Sequence, residues 1–127
     1  MKKSAPSQPT SGELEILRVL WHRGRSTVRD VHEALRERRV GYTTVLKLLQ
    51  IMTEKGLVER EESAKAHIYR AAASQEATQN QLLRDLSERL FSGSAAQLAM
   101  HALAMQPASA EELEEIRTLI ERKRQTR

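Results

Sequence analysis

The chain has 127 residues, a formal net charge of +4, 39% hydrophobic and 3% aromatic residues, and no cysteine. That length suits one domain, or one small domain with an appendage. The absence of cysteine excludes disulfides, thiol nucleophiles and thiolate metal sites and fits a reducing cytoplasm, and no apolar run approaches the roughly 18 residues of a membrane span.

Residues 1–10 carry two prolines among Ser, Thr and Gln with no apolar core, so they read as a disordered lead-in and not as a signal peptide. Ser11 is the expected N-cap of a first helix, with Glu13 and Glu15 in its first turn. Its apolar stripe is Leu14, Ile16, Leu17, Leu20 and Trp21, and Gly24 ends it. A second helix, capped by Ser26 or Thr27, turns Val28, Val31 and Leu35 inward and Arg29, Asp30, Glu33 and Arg36 outward. Arg36 to Gly41 connect it to the third.

The third helix is the most informative element. Gly41 breaks the chain before it and Gly56 supplies the left-handed residue that ends it. Val45, Leu48, Leu49 and Met52 face inward at helical spacing, while Tyr42, Thr43, Thr44 and Lys47 cluster hydrogen-bond donors in its outward first turn and a half. Two neighbouring threonines are a poor choice for a purely structural helix start, because β-branching costs helix propensity. Their hydroxyls and methyls are suited to phosphates and base edges. Two short strands follow, Leu57 to Arg60 and His67 to Ala71, joined by a polar turn. Helix, glycine stop and hairpin in this order make a winged helix-turn-helix, in which the start of the second helix of the pair enters the DNA major groove.

After Ala73 the pattern is helical only. Ser74 is the expected cap of a segment with Leu82, Leu83, Leu86 and Leu90, closing at Phe91-Ser92-Gly93. A small, apolar segment from Ser94 to Met105 includes Leu98, and Pro107 interrupts the pattern. Ser109 and Glu112 then spell a capping box for a last helix with Leu113, Ile116, Leu119 and Ile120 along one stripe. Three helices with narrow apolar faces and no core of their own are expected to pair with another copy. Charge divides in the same place: residues 1–73 hold 14 Lys/Arg against 9 Asp/Glu, and residues 74–127 hold 7 against 8. The basic excess sits with the half expected to bind DNA.

Other chemistry has little support. His22, His32, His67 and His101 are scattered without metal-ligand spacing, and no phosphate loop, nucleophile elbow or carboxylate pair stands out. Neither metal nor cofactor nor catalysis is expected.

The pattern Glu13-x-x-Ile16-Leu17-x-x-Leu20-Trp21, Thr27-Val28-Arg29-Asp30-Val31, Tyr42-Thr43-Thr44-Val45-Leu46-Lys47-x-Leu49, Lys55-Gly56-Leu57-Val58-x-Arg60 and Ile68-Tyr69 resembles the penicillinase/methicillin-resistance repressors of the BlaI/MecI/CopY type. The likeness runs from about residue 11 to residue 73. A weaker one continues through Leu90-Phe91-Ser92-Gly93 and Glu112-Leu113-Glu114-Glu115-Ile116. It implies a homodimeric transcriptional repressor on a dyad-symmetric operator near resistance or metal-export genes. Thr43, Thr44 and Lys47 would then reach bases or phosphates, Tyr42 would sit at the helix start, and Arg29, Lys65 and His67 near the DNA backbone. Departures are Ile51, where the family often has arginine; an acidic wing tip, Glu61-Glu62; and His101-Ala102, where the β-lactam-induced members have a scissile Asn-Phe bond. Cutting between His101 and Ala102 by a membrane sensor/protease system is therefore not expected.

The expected architecture is mainly α with a small β-hairpin wing: a tail at 1–10, a winged helix-turn-helix at 11–73, and a three-helix dimerisation region at 74–127 built on Leu82, Leu86, Leu90, Leu98, Leu113, Ile116 and Ile120. The expected function is a cytoplasmic homodimeric repressor of antibiotic-resistance, stress or metal-export genes. The alternatives are a ligand-sensing winged-helix regulator and a protein-interaction module that no longer binds DNA.

Overall fold

The structure is a computed structural model and describes residues 8–63 and 65–126. The reading of residues 1–7 as a disordered lead-in lies outside the described residues. In chain order the elements are α1 (Ser11–Arg23), α2 (Val28–Ala34), a 3-10 turn (Arg36–Arg38), α3 (Tyr42–Lys55), β1 (Val58–Glu62), β2 (His67–Ala71), α4 (Gln75–Leu90), α5 (Ala95–Met105) and α6 (Ala110–Gln125). The expected fold class is the observed one. The chain divides into two compact units, the first ending at Leu82 and the second beginning at Leu83, so the division falls within α4, beyond the change of pattern read at Ala73.

In the first unit, α1 starts one residue earlier in its cap than expected. Thr10, not Ser11, accepts from the Glu13 backbone N–H at 3.2 Å, and Glu13 accepts from the Thr10 N–H at 2.9 Å. The capping box places the Glu13 carboxylate at the helix dipole, where it also receives Lys55 Nζ from the far end of α3 at 2.7 Å. Burial pushes the Glu13 carboxyl upward, but the hydrogen bonds from Lys55 and Thr10 and the charge of Lys55 outweigh it and hold the group below its ordinary value. A buried charge is tolerated here because it is paired with Lys55 and accepts the Thr10 N–H.

The stripes meet in one core: Ile16, Leu17, Val19 and Leu20 from α1, Val28 and Val31 from α2 with Leu35 just after it, Val45, Leu49 and Met52 from α3, Val58 from β1 and Tyr69 from β2. Each such side chain taken out of water contributes about 1.5–3 kcal/mol before entropy is counted. Leu48, read as inward, is only partly buried at the edge. Thr27 caps α2 in a second capping box with Asp30. Ser26 is buried instead and exchanges both backbone hydrogen bonds with Tyr69, at 3.0 and 2.8 Å, adding a short third bridge to the hairpin. Gly56 ends α3 at φ 85°, a left-handed geometry that turns the chain into β1. The strands pair antiparallel, Val58 opposite Ala71 and Glu62 opposite His67. β1 thus runs two residues past the expected Arg60, and Glu61 and Glu62 belong to the strand. The Trp21 indole N–H donates to Ala73 O at 2.9 Å, tying the end of the hairpin to α1.

In the second unit Ser94 and Ser109 cap α5 and α6, the latter through the expected box with Glu112. α4, which begins in the first unit, is capped by Ser74 accepting from the Ala77 N–H. After α4, Ser92 and Gly93 take φ of 51° and 86°, and the Phe91 and Gly93 N–H groups both donate to Ser87 O. Among the described residues of this unit only Ser87 is buried, and none of its apolar side chains is. No described helix is long and apolar enough to cross a membrane.

Candidate nucleic-acid interface

The start of α3 combines three properties. Its N-cap is Gly41, which has no side chain to satisfy the first-turn N–H groups. Tyr42, Thr43, Thr44 and Lys47 are all exposed. None of the four makes a hydrogen bond or ion pair through its side chain among the described residues. A threonine that merely capped the helix would be bonded to the backbone, as Thr53 is to Leu49 O at 2.8 Å further along the same helix. Thr43 and Thr44 are not so engaged. Their hydroxyls, the unmet N–H groups and the Lys47 ammonium together form a donor surface at the positive end of a helix dipole, matched to an anionic, acceptor-rich partner.

Val45, Leu49 and Met52 on the opposite face are fully buried, which fixes the rotation of α3 and so the outward direction of the donors. Ile51, one turn beyond Lys47, is also exposed. Arg29 is exposed on α2, next to Asp30. The Thr27 backbone N–H bonded to the Asp30 carboxylate holds that group below its ordinary range against some burial, helped by the charges of Arg23 and Arg29. Lys65 and His67 stand exposed on the wing, a different element from α3.

The wing's acidity is largely internal. Glu59 pairs with Arg70 across the strands, Glu61 with Arg25 at 3.2 Å, and Glu62 with Arg60 at 3.8 Å. Each carboxylate read as opposing DNA thus carries its own cation. At the tip, Ser63 bonds back to Ala66 through backbone and hydroxyl, which closes the turn. One residue escaped the sequence reading: Arg39 takes a left-handed φ of 58° in the turn directly before α3 and is exposed. The run Arg36-Glu37-Arg38-Arg39 was the available signal, but Arg36 and Arg38 are tied to Glu33 and Glu15. Arg39 enters no ion pair among the described residues.

The residues read as a dimer surface fall in two groups. Leu86, Leu90, Leu113 and Ile120 are exposed, whereas Leu82, Leu98 and Ile116 are partly covered. His101 lies inside α5, its Nδ1 3.0 Å from Gln97 O and its ring 5.1 Å from that of Phe91, and the helix continues unbroken through Ala102. No cluster of three or more His, Asp or Glu among the described residues could hold a metal ion.

Known proteins bear on this geometry. The chain is 45% identical over 62 residues to the transcriptional regulator BlaI of Mycobacterium tuberculosis, in strains CDC 1551 and H37Rv alike. That match covers 46% of this chain and 45% of the relative, so the chain spans under half the length of the curated relatives it matches. The ferric uptake regulator of Francisella tularensis with iron superposes at a TM-score of 0.45 with 18% identity, over 68% of this chain and 86% of that one. The penicillinase repressor family matches from residue 9 to residue 122, nearly the whole length, and the chain belongs to that family.

Proposed function

We propose that this protein is a transcriptional repressor of the winged-helix type that binds a dyad-symmetric DNA operator as a homodimer, with the start of α3 in the major groove. The observation that carries the reading is the unengaged donor set Tyr42, Thr43, Thr44 and Lys47 on an α3 start that no side chain caps. Thr43, Thr44 and Lys47 would contact bases or phosphates, and Tyr42, Arg29, Arg39, Lys65 and His67 the sugar–phosphate backbone. Membership in the penicillinase repressor family and the name of the mycobacterial relative support control of transcription, with antibiotic-resistance or metal-export genes as the proposed targets. The exposed leucines of α4 to α6 support pairing of two copies.

Release from the operator is proposed to proceed without a cut between His101 and Ala102. A protease needs extended backbone, and at this bond α5 would first have to unfold locally.

Lys47→Ala and Thr44→Ala should each weaken operator binding by about 1–3 kcal/mol where the contact is to a base. Thermal unfolding should be unchanged, since both side chains are exposed. Operator DNA recovered from the host genome and titrated by fluorescence anisotropy provides the measurement. Unaltered affinity in both variants would remove α3 from the interface; duplex affinity should fall steeply with salt, and absence of duplex binding even at low salt would argue for a protein-interaction role instead.

A further inference from the structure

Tyr42 is the first residue of α3, and its ring packs against an aromatic neighbour. The His32 imidazole, from the last turn of α2, stands against it with ring centroids 5.7 Å apart and planes at 81°, an edge-to-face arrangement. The two rings are unequally anchored. His32 is partly buried on a helix fixed at its start by the Thr27–Asp30 capping box and along its inner side by Val28 and Val31. Tyr42 is 48% exposed, and its hydroxyl has no hydrogen-bond partner among the described residues. A tyrosine at the open end of a helix would otherwise sample several rotamers.

We propose that His32 is a positioning residue for DNA binding, holding the Tyr42 ring so that its hydroxyl is presented to a backbone phosphate. The inference rests on the reading of α3 as the helix that enters DNA. A phosphate is the fitting acceptor because the hydroxyl can donate to it, and the unmet N–H groups of the same helix turn favour an anion there. His32 itself need not touch DNA. Its contribution is to remove the ordering cost of a side chain that must be still in the complex, together with the edge-to-face attraction that does so. Contacts of this kind correspond to about three- to tenfold in affinity.

The test uses the full chain and a mixed-sequence DNA duplex of about three helical turns, since phosphate contacts persist on non-specific DNA. Affinities are measured at low salt for His32→Ala, His32→Gln, His32→Phe, Tyr42→Phe and the pair His32→Ala/Tyr42→Phe, with thermal unfolding of each. Tyr42→Phe, His32→Ala and His32→Gln should each weaken binding about three- to tenfold. His32→Phe, which keeps an aromatic ring, should stay within about twofold of the parent, and the double variant should be no weaker than Tyr42→Phe alone. If His32→Ala fails to fold, His32→Gln and His32→Phe carry the comparison. Loss in Tyr42→Phe with none in His32→Ala or His32→Gln would overturn the positioning role while leaving the Tyr42 contact standing. No loss in Tyr42→Phe would overturn that contact and the inference with it. An undiminished His32→Ala effect in the Tyr42→Phe background would mean that His32 acts through the fold or a contact of its own, which also overturns the proposal.

Discussion

In the unit ending at Leu82, Ile16, Val45, Leu49 and Met52 are completely buried, whereas beyond it Leu90, Leu113 and Ile120 are each half or more exposed. Both regions have well-capped helices, so local helix signals do not separate them. What separates them is whether an apolar stripe finds another stripe within the same chain. Helices of 11 to 16 residues held only by caps are marginal in water. The comparison teaches that the first unit owns its stability, while the second depends on an added surface, for which a second copy of the chain is the proposed source.

The largest expected effect cuts the two apart. A fragment ending at Leu82 should stay folded, sediment as a monomer, and bind a full operator on the order of 100-fold or more weakly, because its half-sites no longer share one effective concentration. A stable dimer of that fragment in sedimentation equilibrium would move the interface into the winged unit and erase the contrast.

Single truncations sharpen it. Leu49→Ala should cost about 2–5 kcal/mol in unfolding free energy, and the loss should not depend on protein concentration. Ile120→Ala should leave the melting of the winged unit in place and show instead as a concentration-dependent loss of dimer. Equal, concentration-independent losses in chemical denaturation would mean that the second unit has an intrachain core after all.

A smaller effect tests how the winged unit holds the largely buried Glu13–Lys55 ion pair. Glu13→Ala leaves Lys55 without its carboxylate and removes half a capping box, and should cost about 2–3 kcal/mol, below the range for fully buried pairs because the Lys55 side chain is 22% exposed. The same pair gives the unit an acid sensitivity. The folded state depresses the Glu13 carboxyl below its ordinary 4.5, so the stability it supplies is fully present above that value and is lost as pH falls from there through the folded value. Asp30, depressed below an ordinary 3.8, adds a second loss at lower pH. Melting temperatures followed from neutrality to acid should decline first below about 4.5 in the parent, with a shallower decline in Glu13→Ala. Superimposable slopes would show that the pair is not the sensor.

The sequence made some of these features legible and hid others for physical reasons. Gly41 and Gly56 bracket α3 because a helix terminus is a local event, and the Ser109–Glu112 box was readable for the same reason. Donors on the outer face of α3 followed from periodicity alone. The cap of α1 was read one residue late, at Ser11, because a serine there is also a competent cap. The three-residue spacing to Glu13 selects Thr10, and Lys55, distant in sequence, completes the arrangement. Ser26 looked like a cap because a bridge to Tyr69 leaves no local signature. Glu61 and Glu62 looked like turn because acidic residues are poor strand formers, yet cross-strand pairing and Arg25 and Arg60 hold them in β1. The contact of His32 with Tyr42 depends on how α2 packs on α3 and has no signal in either helix alone.

Synthesis from the N-terminus gives the long tethers of the winged unit a temporal meaning. The acceptor for the Trp21 indole is made 52 residues after it, and the partner of Glu13 follows 42 residues later. Loop-closure entropy grows only with the logarithm of length, so such spans cost little more than short ones once the chain is complete. Until then α1 has no finished core to dock on, and its stripe of Ile16, Leu17 and Leu20 stays open as the ribosome advances. The nascent unit therefore closes late and as a whole, when β2 and Ala73 arrive.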